Sequence, residues 1–298
     1  MDGIINLFKP SGMTSQSAVT RVKRLLGAEK AGHCGTLDPM ATGVLPVMVG
    51  CAVKASEYLA DHDKEYLAGI TLGITTDTGD ITGSVLTEFS GELPGFGEFA
   101  AAAARFAGKQ EQVPPMYSAL KKDGKKLVDL ARKGISVERA PRNIEIYSIE
   151  PGQDESGFTI RVACSRGTYI RTLCEDIGAV LGCGGCMRSL ERTGVGMFRA
   201  DESVTLEDIE KGDYRIIPVE AVFDFPALRL PYFFDRLFSN GQEIYLRKIG
   251  LKASPGDRFR IYGNNGFYAT AQVLEFPDGP ALKPEKYYIS APMRHKTT

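Results

Sequence analysis

Asp38 is the side chain of this sequence whose setting best suits chemistry. It lies in GHCGTLDPMATGVLP, residues 32–46, where it is the only carboxylate and follows shortly after His33. Pro39 biases Asp38 toward an extended backbone, which restricts the direction in which the carboxylate points. A stiff, glycine-flanked loop that holds a lone acid is suited to general-base or nucleophilic catalysis.

A helix start is the alternative interpretation of the same residues. Asp followed by Pro is favourable there, because the Asp side chain accepts an amide proton and Pro suits the first helical position. Gly43 and Pro46 leave such a helix room for barely one turn. The residues alone leave both interpretations open.

Cys183 and Cys186 form a CxxC motif that could indicate redox or metal chemistry. Zinc needs four ligands, and the other four cysteines show no matching spacing. We therefore expect reduced thiols without a metal, with Cys164 and Cys174 in the core. A thiol-dependent redox protein remains a weaker alternative, which would require Cys183 or Cys186 for activity.

The charge of the chain is balanced overall but uneven along its length. The 298 residues carry 36 basic and 37 acidic side chains, for a net charge of −1. Residues 117–142 hold eight Lys or Arg, whereas residues 201–224 hold eight Asp or Glu. This separation predicts a directed electrostatic face rather than a general attraction to polyanions.

The chain shows no sign of secretion or membrane insertion. Its start, MDGIINLFKP, lacks the basic end and long apolar centre of a signal peptide. The longest apolar stretch, residues 41–53, contains Gly and Pro and is shorter than the ~20 residues that span a bilayer. We expect a cytoplasmic protein.

Periodicity predicts the elements that position the Asp38 loop. Residues 3–8 read as a buried strand, and Thr14 or Ser15 starts a helix that ends at Gly27. Residues 66–73 are predicted to form a strand before the turn-rich TTDTGDITG, and residues 96–106 a helix.

The second half of the chain predicts a strand pair, another helix and a separate module. Residues 143–149 and 157–164 alternate as paired strands, and Thr168 is a plausible cap for a helix that places Arg171 beside its apolar stripe. The predicted fold class is α+β, with a mixed or antiparallel sheet flanked by helices. Turn motifs after Pro226 predict a small β-barrel-like module, so the predicted domains are residues 1–225 and 226–298.

Four long phrases resemble one family in its own order. They are GHCGTLDPMATGVLPVMVG, KEYLAGITLGITTDTGD, VPPMYSALKKDG and CSRGTYIRTLCEDIG. Together they resemble the TruB-type tRNA pseudouridine synthases from Asn6 to about Leu190, and the last stretch resembles a PUA-type RNA-binding module. Cys34 departs from the Thr that many relatives carry at that position.

The resemblance implies an isomerase that converts uridine 55 in the T-arm of tRNA to pseudouridine. It implies that the target base leaves its stack and that Tyr66 stacks against it. Asp38 would supply the ionised carboxylate, and Arg171 would pair with it and keep it charged. His33 would hold the RNA loop open. The hydroxyl of Tyr66 would also be a reasonable acceptor for the proton lost from C5.

Further roles concern the pocket and RNA binding. Tyr169 and Leu190 would line a pocket that excludes water. Phosphate contacts would come from Lys9, Lys64 and the lysine cluster that begins at Lys121. The second module would grip the acceptor stem. The resemblance implies no cofactor or metal, no obligate protein partner and a monomer.

Two other classes of protein fit parts of this pattern. A non-catalytic tRNA-binding or folding protein could use the same scaffold, although pure binding does not need an acid facing polyanionic RNA. A relative guided by RNA and partner proteins would carry long charged tails, whereas this sequence ends at MRHKTT. We therefore expect a stand-alone enzyme.

Overall fold

Strands and helices are interleaved in residues 2–289, the part of the chain that this computed structural model describes. The strands are β1 (Gly3–Lys9), β2 (Ala31–His33), β3 (Thr42–Val49), β4 (Lys64–Leu72), β5 (Ile74–Thr76), β6 (Val85–Glu88), β7 (Gly108–Gln112), β8 (Lys121–Lys122), β9 (Lys125–Lys126), β10 (Arg142–Asp154), β11 (Gly157–Cys164), β12 (Gly185–Val195), β13 (Phe198–Arg199), β14 (Ala227–Arg229), β15 (Ile244–Tyr245), β16 (Arg258–Gly263), β17 (Gly266–Phe276) and β18 (Gly279–Tyr287). The helices are α1 (Ser15–Leu25), α2 (Ser56–Ala60), α3 (Phe96–Ala104), α4 (Leu127–Ala131), α5 (Ile170–Val180), α6 (Leu206–Lys211), α7 (Tyr232–Ser239) and α8 (Leu246–Ile249), and 3-10 helices span Gly50–Ala55, Ala200–Glu202 and Val219–Val222.

A mixed sheet carries the Asp38 loop, between β2 and β3. Within the described residues it has nine strands, in the order β1-β3-β12-β4-β11-β10-β7, with β2 beside β3 and β13 beside β12. Every pairing is antiparallel except that of β12 with β3, which is parallel. The predicted α+β class with a mixed sheet is therefore confirmed.

Helices α1 and α5 cover the sheet through the apolar stripes that predicted them. Thr14 caps α1, because its hydroxyl accepts a hydrogen bond from the Ser17 amide. Helix α5 buries Ile170, Leu173 and Ile177 against the sheet. Thr168 is not its cap, since Tyr169 occupies that position and the Thr168 hydroxyl donates to the Ser165 carbonyl instead.

The second module contains a five-stranded sheet within the described residues, in the order β14-β16-β17-β18-β15. This sheet fits the predicted PUA-like module, but the module also contains helix α7, which the turn motifs did not predict. Tyr288 of the module packs on Phe223 beside buried Ala52. The division at residues 225 and 226 stays a prediction, and residues 290–298 of the predicted module lie outside the described residues.

Candidate active site around Asp38

The Asp38 loop joins β2 to β3 and is held by residues that precede α1 or begin it. The Ser15 hydroxyl accepts from the Leu37 amide at 2.8 Å and donates to the Leu37 carbonyl at 3.0 Å. The Gly12 amide donates to the Pro39 carbonyl at 2.8 Å. No helix begins at Pro39 within this described loop, so the helix-start interpretation of Asp38 is wrong.

Asp38 forms a two-point ion pair with Arg171. The Arg171 Nε lies 3.0 Å from Asp38 Oδ2, and Nη2 donates to Oδ1 at 3.3 Å. The Asp38 side chain is 33% exposed, whereas that of Arg171 is 6% exposed. A carboxylate that is both paired and reachable from solvent can act on a bound substrate.

Arg171 is itself oriented by two loops from different parts of the chain. Its Nη1 donates to the Thr78 carbonyl at 2.9 Å, and its Nη2 donates to the Tyr117 carbonyl at 2.7 Å. A second carboxylate, Asp80 Oδ2, lies 3.9 Å from Nε. The guanidinium is therefore fixed before any substrate binds.

Sequence reasoning did not identify Asp80 as a site residue. Its Oδ1 accepts from the Thr78 hydroxyl at 3.0 Å, the Thr82 amide at 3.0 Å and the Thr82 hydroxyl at 2.5 Å. The Thr-x-Asp-x-Thr spacing in TTDTGDITG is the signal that could have revealed it, because Asp and Thr side chains at such spacing satisfy each other locally.

Burial raises the pKa of Asp38, and the guanidinium of Arg171 opposes that rise. The neighbouring carboxylate of Asp80 raises the pKa further, whereas the ammonium group of Lys9 lowers it. The site therefore holds a carboxylate more basic than an ordinary Asp, which helps it to act as a base or nucleophile.

Tyr66 and Tyr169 both lie close enough to this ion pair for the charge of Asp38 to raise their pKa values. Tyr66, on β4, is 7% exposed. Burial raises the pKa of Tyr66 to about 12, the guanidinium of Arg192 opposes that rise, and the charge of Asp38 adds to it. Tyr169 is half-buried at the start of α5, and burial raises its pKa as well.

Gln112 holds the backbone of Tyr169 and was also missed by sequence reasoning. Its Oε1 accepts from the Tyr169 amide at 2.8 Å, and its Nε2 donates to the Tyr169 carbonyl at 3.1 Å. Gln112 is 5% exposed at the end of β7. Nothing in the residues around Gln112 signals this contact, because it joins positions 57 residues apart.

His33 is the last residue of β2, directly before the Asp38 loop, and Leu190 lies on β12. His33 is half-buried on β2, and its buried Nδ1 has no hydrogen-bond partner among residues 2–289. Leu190 pairs with Ala68 across β12 and β4 and belongs to the main core. Their predicted roles in RNA binding and in lining the pocket stay predictions.

Lys9 and Lys64 do not offer their charges to solvent. The Lys9 ammonium donates to the carbonyls of Pro10 at 2.8 Å, Met13 at 2.7 Å and Pro39 at 3.4 Å. Lys64 donates to the carbonyls of His62 at 2.5 Å and Ala60 at 3.3 Å.

The predicted phosphate contacts of Lys9 and Lys64 are therefore corrected, because both side chains are buried and their donors are occupied. Burial lowers the pKa of Lys9 to about 8 and also lowers that of Lys64. Both residues support the Asp38 loop and the strand that carries Tyr66.

Lys121 lies in an exposed hairpin of strands β8 and β9. Lys121 pairs with Lys126, and Lys122 pairs with Lys125. The turn residues Asp123 and Gly124 have φ of 51° and 78°, as a tight hairpin turn requires. All four lysines are exposed.

Within the described residues, Cys34, Cys164, Cys174, Cys183 and Cys186 are free thiols. Cys183 and Cys186 are buried, as are Cys164 and Cys174, which were predicted to lie in the core. Across residues 2–289, no group of three or more His, Cys, Asp or Glu is arranged to hold a metal ion. None of the helices described for this chain is long and apolar enough to cross a membrane.

Two family models cover most of this architecture. The model described as TruB family pseudouridylate synthase (N terminal domain) matches residues 23–170. The tRNA pseudouridylate synthase B C-terminal domain matches residues 171–221. The first model ends, and the second begins, at the start of α5, so Asp38 and Arg171 fall in different models.

Similar proteins agree with these matches over nearly the whole chain. The tRNA pseudouridine synthase B of Ralstonia pickettii is 45% identical over 300 residues, which cover 95% of this chain and 93% of the relative. The corresponding protein of Saccharophagus degradans is 41% identical and covers 92% of this chain and 93% of the relative.

Among solved structures, a chain in the crystal structure of a Cbf5-Nop10-Gar1 complex matches with a TM-score of 0.70 and 27% identity, covering 96% of this chain and 85% of that one. The structure of an archaeal box H/ACA sRNP Nop10-Cbf5 complex gives a TM-score of 0.67 and 26% identity, with coverage of 96% and 86%. The sequence matches and the structural matches agree. This chain belongs to the TruB family of pseudouridylate synthases.

Proposed function

We propose that this chain converts uridine 55 in the T-arm of tRNA to pseudouridine, acting alone in the cytoplasm. The observation that carries the proposal is the two-point contact between Asp38 and Arg171 at a position that solvent reaches. Pure RNA binding has no use for a carboxylate in that position, because the ligand is a polyanion. The named relatives support tRNA as the class of substrate.

The reaction begins when the target base leaves its stack. Unstacking costs a few kcal/mol, and an aromatic platform offsets part of that cost. Tyr66 supplies the platform at the floor of the site, and half-buried Tyr169 closes the opposite side. The histidine at position 33 occupies the space that the flipped bases leave in the RNA loop.

Asp38 then acts on the nucleoside. Its carboxylate serves either as the nucleophile toward the sugar or base, or as the base at the sugar C2′, since both routes need the ionised form. Arg171 keeps the carboxylate ionised and fixes its orientation. After the ring turns and C5 bonds to the sugar, the C5 proton passes to the oxygen of Tyr66. The buried surroundings, including Leu190, keep water from the detached base.

RNA binding rests on surfaces outside this pocket. The hairpin that begins at Lys121 presents four exposed lysines suited to phosphate contacts, of which Lys122 also donates to the Glu138 carbonyl. The backbone of the same segment reaches Arg171 through the Tyr117 carbonyl. The second module binds the acceptor stem and adds orientation.

The test uses purified protein and an unmodified tRNA transcript that carries tritium at uridine C5. Under single-turnover conditions, we expect the parent protein to release tritium and Asp38→Asn to lose release while retaining RNA binding. A transcript with cytidine at position 55 is the matched control for position and should release none beyond background. No release from the parent, with tight binding intact, would favour a tRNA-binding or folding protein. Release that needs added protein or guide RNA would contradict a stand-alone enzyme.

A further inference from the structure

Arg192 is a buried cation that takes no part in the reaction steps described above. It is 1% exposed and is among the largest fully buried side chains of the described chain. None of the ion pairs within 4.0 Å in residues 2–289 includes it, so no Asp or Glu neutralises its guanidinium. Burying a charge without an opposite charge beside it costs free energy. A buried guanidinium of this kind therefore needs a functional explanation.

The guanidinium of Arg192 joins the two ends of the Asp38 loop. Its Nη2 donates to the Gly35 carbonyl at 3.0 Å, and its Nε donates to the Val44 carbonyl at 2.8 Å. Its backbone also lies against Gly43, where an added Cβ would meet the Arg192 carbonyl oxygen at 2.3 Å. Arg192 therefore fixes the loop at its start and at its end.

Strand register places Arg192 directly opposite Tyr66. The two residues are partners across the antiparallel β12–β4 pair, and their side chains lie on the same face of the sheet. Both are buried. Besides Tyr66, four titratable groups interact electrostatically with the guanidinium. They are Cys34 and His33 beside the loop, Lys64 on β4 and Lys9 on β1.

A purely structural role would need donors but no charge. Two carbonyl oxygens can be satisfied by a neutral amide, without the desolvation that a buried guanidinium suffers. A cation opposite a tyrosine has an added use when that tyrosine becomes negatively charged, because a nearby opposite charge stabilises the ionised form. Burial raises the pKa of Tyr66 to about 12, and Arg192 opposes that rise.

We propose that Arg192 is a positioning residue that holds Tyr66 against the Asp38 loop and stabilises the phenolate of Tyr66 during proton transfer from C5. The inference rests on the proposed function, in which Tyr66 accepts that proton. Arg192 acts through Tyr66 and the loop and does not contact the substrate.

The proton transfer from C5 begins and ends with a neutral Tyr66. Once C5 is bonded to the sugar, N1 of the ring takes the phenolic proton of Tyr66, which leaves a phenolate and a cationic ring. The C5–H bond then breaks, and its electron pair forms the C5–C6 double bond while the C6–N1 π pair moves onto N1. The released proton bonds to the phenolate oxygen, so Tyr66 returns to its starting form.

The first experiment needs no RNA. Fluorotyrosine is placed at position 66 in the full chain, and its ionisation is followed by fluorine NMR in the parent, Arg192→Met and Arg192→Lys. We expect the pKa at position 66 to rise in Arg192→Met and to stay near the parental value in Arg192→Lys, which keeps the charge. An unchanged titration in a folded Arg192→Met protein overturns the proposal whether or not the chain modifies tRNA.

The second experiment measures single-turnover rates on tRNA with hydrogen or deuterium at uridine C5. We expect Arg192→Met to slow the reaction by at least ~10²-fold and to enlarge the isotope effect, because C5–H cleavage becomes limiting. Arg188→Met, on the same strand, is the matched control and should keep the parental rate and isotope effect. A slower Arg192→Met with the parental isotope effect would overturn the proposal, since it would show that Arg192 only holds the loop.

Arg192→Gln, which keeps hydrogen-bond donors but removes the charge, provides the same test if Arg192→Met does not fold. Difluorotyrosine at position 66 is a more acidic phenol and should restore part of the rate that Arg192→Gln loses. Failure to restore any rate overturns the stabilising role. Absence of tritium release from the parent would count against the proposed function alone, because the titration decides the Arg192–Tyr66 interaction separately.

Discussion

Arg171 contacts both carboxylate oxygens of Asp38, with Nε 3.0 Å from Oδ2 and Nη2 3.3 Å from Oδ1. The same guanidinium donates to the Thr78 and Tyr117 carbonyls. Such a planar fork can serve a carboxylate and two carbonyls at once, which an ammonium group cannot do in the same geometry. The direction of the Asp38 carboxylate therefore depends on the shape of the Arg171 side chain as well as on its charge.

Arg171→Lys should keep the positive charge and lose most of the activity. Lost hydrogen bonds to a charged group cost about 1.5–3 kcal/mol, which corresponds to a roughly 10- to 100-fold slower single-turnover rate. Binding of tRNA should change little, because Arg171 is buried behind Asp38. Arg166→Lys is the control, since Arg166 is exposed and pairs with Asp61. A parental rate in Arg171→Lys would mean that only the charge at position 171 matters.

Asp38→Asn should become more stable than the parent as the pH rises. Burial raises the pKa of Asp38 in the folded parent above its ordinary value of 3.8. At pH values between the ordinary pKa and the raised pKa, the folded parent therefore binds more protons than the unfolded chain. The stability of the parent therefore falls as the pH rises through that window, and the cost remains at neutral pH. Asn carries no such cost.

Thermal unfolding of Asp38→Asn and the parent at several pH values checks this sign. Their melting temperatures should differ least below pH 3.8, and the advantage of Asn should grow to a few degrees at neutral pH. Asp77→Asn, in the exposed β5–β6 hairpin, is the control and should show no such trend. An advantage that shrinks as the pH rises would show that Arg171 outweighs the burial of Asp38.

Local patterns were sufficient to predict the main elements and to identify the Asp38 loop as a candidate site. The strand at β1, the α1 helix after Thr14 and the β10–β11 pair all follow from apolar spacing and turn residues. Asp38 was identifiable because Pro39 and the flanking glycines mark its loop in the sequence itself. These signals span only a few residues, so no knowledge of the fold was needed.

Long-range contacts could not be predicted in the same way. Gln112 and Arg192 reach the site through strand pairing, and their own neighbours in the sequence do not reveal which strand lies beside them. Lys9 was expected to contact phosphate, yet three carbonyls satisfy its ammonium group in the interior, and these contacts depend on the fold. Helix α7 was missed because its aromatic residues also favour strands.

Gln112→Met should slow the chemical step while leaving tRNA affinity near the parental value. The substitution removes both hydrogen bonds to the Tyr169 backbone, two residues before Arg171. Two neutral hydrogen bonds contribute about 1 kcal/mol each, so a roughly 30-fold slower single-turnover rate is expected at saturating enzyme. Gln110→Met, on the same strand, is the control. Weakened binding with an unchanged rate would place Gln112 in RNA recognition instead.

The β8–β9 hairpin groups four lysines, Lys121, Lys122, Lys125 and Lys126. Its four ammonium groups are exposed on two short paired strands, unlike the buried Lys9 and Lys64. Each phosphate that a lysine neutralises releases a counterion, so the logarithm of the affinity falls with the logarithm of salt concentration by about 0.9 per contact on a duplex. The hairpin should therefore account for much of the salt dependence.

Changing all four hairpin lysines to Gln should flatten the salt dependence of tRNA binding by roughly 3 to 4 units of slope and weaken binding at physiological salt. The single-turnover rate at saturating enzyme should stay within about threefold of the parent, because the hairpin side chains do not touch the Asp38–Arg171 pair. Lys23→Gln with Lys211→Gln is the control for lost surface charge, since both lysines are exposed on the α1 and α6 helices. Equal salt slopes for the parent and the fourfold variant would show that the T-arm phosphates bind elsewhere, whereas a collapsed rate at saturation would show that the hairpin also orders Arg171 through the Tyr117 carbonyl.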